Sequence, residues 1–160
     1  MNAKQRIGIV GAGLMGHGIA KNLVEKGFPL AVRGHRNRVP IDDLVKRGAT
    51  EVKTNADLAR ASDIVILCVT GAPEVEDVIF GVDGIAGAAR PGTIVVDTST
   101  SEPSTTAKMR EALAKQDVRF VDAPLARTPV EAELGKLNIM VGADDATFAE
   151  LKPVLSAFCE

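Results

Sequence analysis

Short apolar runs rich in β-branched residues alternate with helical patterns along the chain, and no other feature restricts the fold as much. The strand-like runs are "RIGIV" (6–10), "PLAVR" (29–33), "DIVILCV" (63–69), "TIVVD" (93–97), "RFVDA" (119–123) and "LNIMVG" (137–142). Between them lie helical patterns at 14–27, 41–48, 55–61, 73–80, 101–116 and 144–158. In the first of these, Leu14, Met15, Ile19, Leu23 and Val24 share one face, and Gly27 ends it. Asn55 stands where an N-cap belongs, and Pro153 is expected to bend the last helix. The run at 63–69 is continuously apolar after its first residue, as a strand buried on both faces requires. Strand and helix in rotation predict an α/β fold: a doubly wound, mostly parallel sheet with helices on both faces and right-handed crossovers.

No repeat, linker or low-complexity tract interrupts the rotation, so residues 1–160 read as one domain. A domain of this length buries roughly 70% of its unfolded surface and needs no metal or disulfide to fold. Cys68 and Cys159 have no neighbour at metal-ligand spacing, and His17 and His35 have no ligand partner, so no metal site is expected. Cys68 reads as a buried strand residue and Cys159 as an incidental one; two unpatterned thiols fit a reducing cytoplasm. A formal net charge of −2 and the lack of Trp and Tyr argue against nucleic acid, which calls for a basic face and stacking rings. No apolar run is long enough to span a bilayer, and "MNAKQRIGIVG" enters a strand pattern without a signal-peptide apolar region.

Gly11, Gly13 and Gly16 form a G-x-G-x-x-G that follows a strand and opens a helix, the context in which that pattern binds dinucleotides in a Rossmann-type fold. Gly11 permits the tight turn, Gly13 lets the backbone approach a diphosphate, and Gly16 lets the helix pack close to the strand. Free N–H groups at the helix start, on Leu14 and Met15 among others, then face the phosphates. The same pattern also fits a strand-to-helix turn with no ligand. His17, one residue past the motif, reads as an exposed helix residue.

About 20 residues past the first glycine an acid selects the ribose hydroxyls of NAD, whereas an Arg accommodates the 2′-phosphate of NADP. The segment after Ala31 has no acid and carries Arg33, His35, Arg36, Asn37 and Arg38. A guanidinium grips a phosphate through two parallel hydrogen bonds, so NADP(H) is expected over NAD(H), with Arg36 foremost among Arg33, Arg36 and Arg38. The alternative is a solvated basic loop.

Three segments, "GAGLMGHGIAKNL", "VDTSTSEP" (96–103) and "VDAPLARTPVEAELGKLNIMVGA" (121–143), resemble the β-hydroxyacid dehydrogenases, among them 3-hydroxyisobutyrate dehydrogenase and tartronate semialdehyde reductase. The resemblance covers nearly the whole chain. It implies reversible hydride transfer between a nicotinamide cofactor and a short hydroxyacid or semialdehyde. It also implies that Ser99 meets the substrate carboxylate, that Thr100 lies near the nicotinamide, and that Val69, Thr70 and Glu74 contact the cofactor. Val69 and Thr70 stand where the family usually has Leu-Pro. Read without the family, "DTSTSEPSTT" is a helix start rich in capping hydroxyls. The family's D-A-P-V-S-G-G becomes Asp122 to Thr128 here, with Arg127 and Thr128 in place of the glycine pair. Some relatives acting on a sulfonated aldehyde carry a similar Arg-Thr. Arg127 and Thr128 are therefore expected to bind an anionic small-molecule substrate, with Arg127 on a second acidic group; an Arg facing solvent is the alternative.

The family's catalytic Lys lies on a long helix with no counterpart up to Glu160, and Lys136 and Lys152 read as exposed. No catalytic residue is therefore assigned. The expected protein is the cofactor domain of a longer homo-oligomeric enzyme whose helical second domain lies outside this chain. A free-standing dinucleotide-binding sensor without catalysis is the alternative.

Overall fold

The computed structural model describes residues 4–160. The first β-branched run forms β1 (Ile7–Val10), buried throughout, and the glycine turn leads into α1 (Leu14–Glu25). There follow β2 (Leu30–Arg33), α2 (Arg38–Lys46), β3 (Thr50–Val52), α3 (Asn55–Ala61), β4 (Ile64–Leu67) and α4 (Ala72–Phe80). After a single 3-10 turn come β5 (Ile94–Asp97), α5 (Pro103–Ala114), β6 (Arg119–Asp122), β7 (Leu125–Ala126), α6 (Pro129–Leu134), β8 (Asn138–Ile139) and α7 (Asp145–Leu155). The first six strands make one parallel sheet in the order β3-β2-β1-β4-β5-β6, the doubly wound arrangement expected from the alternation.

Strand side chains alternate between faces, so each face has its own core. Ile9, Ile66 and Val96 pack with Ile19 and Leu23 of α1, Leu44 of α2 and Leu151 of α7. Val65, Leu67 and Val95 pack with Leu58 of α3, Ile79 of α4 and Met109 of α5 on the other. Arg6 and Asp63 staple the entry edges of β1 and β4. The Asp63 carboxylate accepts from the Arg6 backbone N–H at 2.9 Å and from its guanidinium at 2.7 and 3.1 Å.

Several local expectations are corrected. The run 137–142 is not a strand of the main sheet: Asn138–Ile139 pair, antiparallel, with Leu125–Ala126 in a separate ribbon, and Leu137 and Gly142 make isolated bridges to Cys159 and Asp122. Its inward side chains, Leu137, Ile139 and Val141, alternate with exposed Asn138 and Met140, so one face alone is buried. Leu14 is 79% exposed rather than part of the buried face of α1, and it lines the open cleft instead. Thr54, not Asn55, caps α3 by accepting from the Asp57 N–H at 3.0 Å; Asn55 is buried inside the first turn. Helix α2 begins at Arg38, ahead of the expected 41, with Asn37 as its cap and Pro40 in the first turn, where no N–H is needed.

Candidate functional site

The strand order reverses between β1 and β4, and at their carboxyl ends lies a cleft of about 870 Å³. Open α/β sheets bind ligands at such a switch point. One wall is the glycine turn. Gly11 has φ +97°, and a Cβ there would meet the Cys68 carbonyl oxygen at 2.1 Å. A Cβ on Gly16 would lie 1.7 Å from the Gly11 carbonyl oxygen. Both glycines are thus demanded by the protein itself. Gly13 is different: its backbone is extended, and a Cβ there would meet nothing within 4 Å. No contact among the described residues requires glycine at that position. The space it leaves faces the first turn of α1, whose leading N–H groups have no intrahelical partner.

The second wall is the end of β4 and the start of α4. Cys68, Val69, Thr70 and Glu74 line the cleft, with Asp77 and Val78 behind them. Burial pushes the Cys68 thiol above its ordinary pKa, against an opposing hydrogen bond from Thr98, so it is no thiolate nucleophile. Cys68 itself follows β4 and is half-buried, not inside the strand as expected. Cys159 is half-buried against the core rather than incidental, and burial lifts its pKa to about 12.

The third wall is the end of β2. Arg33 and Asn37 line the cleft, and the Arg33 Nε is buried without a hydrogen-bond partner among the described residues. Next to it is a depression of about 550 Å³ bordered by Arg33, His35, Arg36, Arg38, Glu51 and Lys53. Glu51 is the one acid there. Arg38 holds it through two hydrogen bonds of 2.6 and 2.9 Å and reaches Asp42 at 2.9 Å, which keeps the Glu51 carboxyl below its usual range. The Arg38 guanidinium is therefore engaged, while Arg36 is exposed in the loop.

The carboxyl ends of β5 and β6 carry Asp97 and Asp122, paired in register. Asp97 is fully buried and accepts from the Ser99 N–H at 2.9 Å and the Ser101 hydroxyl at 2.8 Å. Burial, and then the Asp97 charge, push the Asp122 carboxyl above its ordinary pKa, with Arg110 opposing. Ser99 is buried, and its hydroxyl accepts from the Val69 N–H at 3.0 Å, which links this loop to the cleft wall. Ser101 serves Asp97 rather than capping α5, whose N-cap Glu102 makes no side-chain cap. Thr100 is exposed, its carbonyl beside Gly71 at the start of α4.

Ten of the anticipated cofactor residues line the one cleft: Gly11, Gly13, Leu14, Met15, Gly16, Arg33, Asn37, Val69, Thr70 and Glu74. Arg36 and Arg38 border the adjoining depression. Arg127 and Thr128 line neither. The Arg127 guanidinium donates to the Lys136 carbonyl at 2.7 Å and the Glu160 carboxylate at 2.8 Å. Thr128 caps α6 in a reciprocal capping box with Glu131. His17 is not the exposed residue expected: its side chain is 20% exposed and lies between two carboxylates. Sequence reasoning missed that cluster and Asp97. The only signal for Asp97 was an acid closing an apolar strand just before four hydroxyl residues.

A cleft with open space at Gly13, free helix N–H groups and a buried guanidinium nitrogen without a partner among the described residues fits a dinucleotide. Comparison with known proteins agrees. The chain is 36% identical over 156 residues to 2-(hydroxymethyl)glutarate dehydrogenase of Eubacterium barkeri, covering 98% of this chain and 52% of that protein. It is 35% identical over 150 residues to 2-hydroxy-3-oxopropionate reductase of Escherichia coli K12, covering 93% and 50%. Among solved structures, 3-hydroxyisobutyrate dehydrogenase of Salmonella typhimurium superposes with a TM-score of 0.91 at 28% identity, over 98% of this chain and 54% of that one. Psf3, solved with NADP+ and 2-OPP, gives 0.88 at 29% identity, over 96% and 54%. The chain spans about half the length of these relatives. Residues 6–160 match the family described as the NAD binding domain of 6-phosphogluconate dehydrogenase, and the chain belongs to that family of nicotinamide-dinucleotide-binding domains.

Proposed function

We propose that the chain is the NADP(H)-binding domain of an oxidoreductase that moves a hydride reversibly between the nicotinamide and a short β-hydroxyacid or semialdehyde. The open space at Gly13, between two glycines closed in by protein, carries this reading. There the N–H groups of Leu14, Met15 and Gly16 hold the diphosphate. At the end of β2, Arg36 binds the 2′-phosphate with Arg33 beneath it, and Arg38 neutralises Glu51, the acid that would repel that phosphate. Val69, Thr70 and Glu74 wall the nicotinamide half, with Thr100 at its mouth. When bound, the nicotinamide supplies or accepts the hydride.

Ser99 presents the substrate carboxylate, held in place by its bond to Val69. The substrate is a small anion, and Arg127 meets its second acidic group after exchanging the Glu160 carboxylate for it. The proton donor and the helical domain that closes the cleft belong to the remaining half of the relatives' length, and the complete enzyme is a cytoplasmic homo-oligomer. The two 35–36% identical relatives, one a dehydrogenase of a hydroxymethyl diacid and one a reductase of a hydroxy-oxo acid, support this substrate class.

Calorimetric titration of this chain with NADP+ and NAD+ tests the cofactor half. NADP+ should bind at least about tenfold more tightly. Equal affinities would refute the charge argument. The longer protein should oxidise NADPH with short semialdehydes bearing a second anion, in preference to those without one.

A further inference from the structure

His17 joins three helices beside the cleft and takes part in none of the contacts assigned so far. It lies in the first turn of α1, where its backbone N–H donates to the Gly13 carbonyl at 2.8 Å. Its Nδ1 is 2.6 Å from Glu133 Oε1 on α6, and its Nε2 is 2.9 Å from Asp43 Oδ2 on α2. A neutral imidazole donates from one nitrogen only, so only the imidazolium can donate to both carboxylates. The other charged groups around it are Lys21 on α1, 3.1 Å from Glu133, and Arg47 beyond α2, 2.7 Å from Asp43. Glu25 lies outside Arg47 at 2.6 Å. Asp43 is held below its usual range by Arg47 and then by His17. In Glu133 burial works the other way but is outweighed by the bonds to His17 and Lys21. Both acids are therefore charged at neutral pH.

Each of the three helices starts beside residues given a binding role above. Helix α1 opens on the diphosphate turn, α2 follows directly on Arg36 and Asn37, and α6 follows on Arg127 and Thr128. Gly13, Asn37, His17, Asp43 and Glu133 line one cavity of about 590 Å³. We propose that protonated His17 is a positioning residue for the dinucleotide, tying α2 and α6 to the phosphate-binding turn, so that cofactor affinity falls when the ring loses its proton. This rests on the reading that the Gly13 turn holds the cofactor diphosphate. A neutral ring can donate to only one of the two carboxylates, so its tie to α2 or to α6 is lost, while Lys21 and Asn22 still bond α1 to α6. It also leaves the α1 N-terminus beside uncompensated negative charge, which repels a diphosphate.

The test is calorimetry with NADP+ from roughly pH 5.5 to 8.5, the range in which histidine ordinarily titrates, on the wild-type chain and His17→Gln. Glutamine keeps an amide donor but cannot titrate. The 2′-phosphate of NADP+ titrates equally against both proteins, so the ratio of their affinities isolates His17. Over that range the wild type should lose about fivefold more affinity than the variant, the lower end of ordinary coupling between sites. Parallel profiles would overturn the proposal. A wild type that binds no NADP+ at any pH would overturn the diphosphate reading beneath it. Should His17→Gln not fold, ring proton resonances of the wild type decide. There are only two histidines to resolve. By reciprocity, saturating NADP+ must shift the His17 titration to higher pH, by the same fivefold in proton affinity. A titration unmoved by NADP+ would overturn the proposal.

Discussion

The α-carbon of Gly16 faces the carbonyl oxygen of Gly11 so closely that a Cβ would sit 1.7 Å from it, whereas a Cβ on Gly13 would project into open space. Two glycines of one motif thus answer to the fold, and the third is the one proposed to answer to the diphosphate. Gly16→Ala should destabilise the chain by about 1–3 kcal/mol, the ordinary cost of overpacking. Gly13→Ala should change stability by less than about 1 kcal/mol. It should nonetheless weaken NADP+ binding by about tenfold or more, because the new methyl occupies the diphosphate seat. Thermal melts set beside calorimetry separate the two. A Gly13→Ala chain that binds normally removes the main support for the site.

Arg36 and Arg38 should fail in different ways. Arg36→Ala should cost NADP+ about tenfold or more in affinity and leave NAD+ unchanged, since a charge-assisted bond to the 2′-phosphate is lost. Arg38→Ala should also weaken NADP+, through the freed Glu51 carboxylate rather than a lost contact. Glu51→Gln added to Arg38→Ala should then restore most of the affinity, but should not rescue Arg36→Ala. Rescue of both, or of neither, would show that Arg38 does not act through Glu51.

Arg127 has φ 84°, in the left-handed region where glycine is at home and other residues are strained by about 1–2 kcal/mol. The resemblance places a glycine here. Arg127→Gly should therefore hold or raise Tm by about 2–4 °C, despite losing the Glu160 pair. In the longer protein the same change should raise KM for a doubly anionic substrate without altering NADP+ affinity. A stabler enzyme with unchanged KM would make Arg127 a purely local feature.

Acid should loosen the β1–β4 edge through Asp63. The Arg6 hydrogen bonds hold its carboxyl below the usual range, outweighing burial, and Arg90 adds to the effect. The unfolded chain thus takes up the proton first as pH falls. The stabilisation is complete above the unfolded value of about 4 and disappears as pH drops through the lower folded value. Asp63→Asn should lower Tm at pH 7 and shrink the further fall seen on going to about pH 3. Both side chains are more than a third exposed, so the effect should be modest and sensitive to salt. A variant with the same acid dependence as the wild type would exclude Asp63 as a contributor.

The architecture was legible in the residues because it depends on local periodicity. Buried parallel strands must be continuously apolar, covering helices must be amphipathic, and a glycine-rich turn between the first pair announces its own geometry. Residues near the glycines, such as Val69 and Glu74, became legible through the family resemblance. What failed was mostly local in a different sense. Thr54 and Asn55 are both plausible caps, and only the packed chain buries Asn55 and leaves Thr54 half-buried at the cap position. The run 137–142 has a strand's composition, but the sheet already ends at β6.

By itself, the order of apolar runs and glycines determined the doubly wound sheet and the dinucleotide turn, since both follow from the conformations that neighbouring residues can adopt. Tertiary structure alone decided which charges are free. Arg36 and Arg38 stand two positions apart in one basic loop, yet Glu51 on the next strand occupies Arg38 and leaves Arg36 exposed. His17 gained two acids from helices 26 and 116 residues away. Electrostatic partnership acts over a few ångströms of space, and separation along the chain carries no record of it.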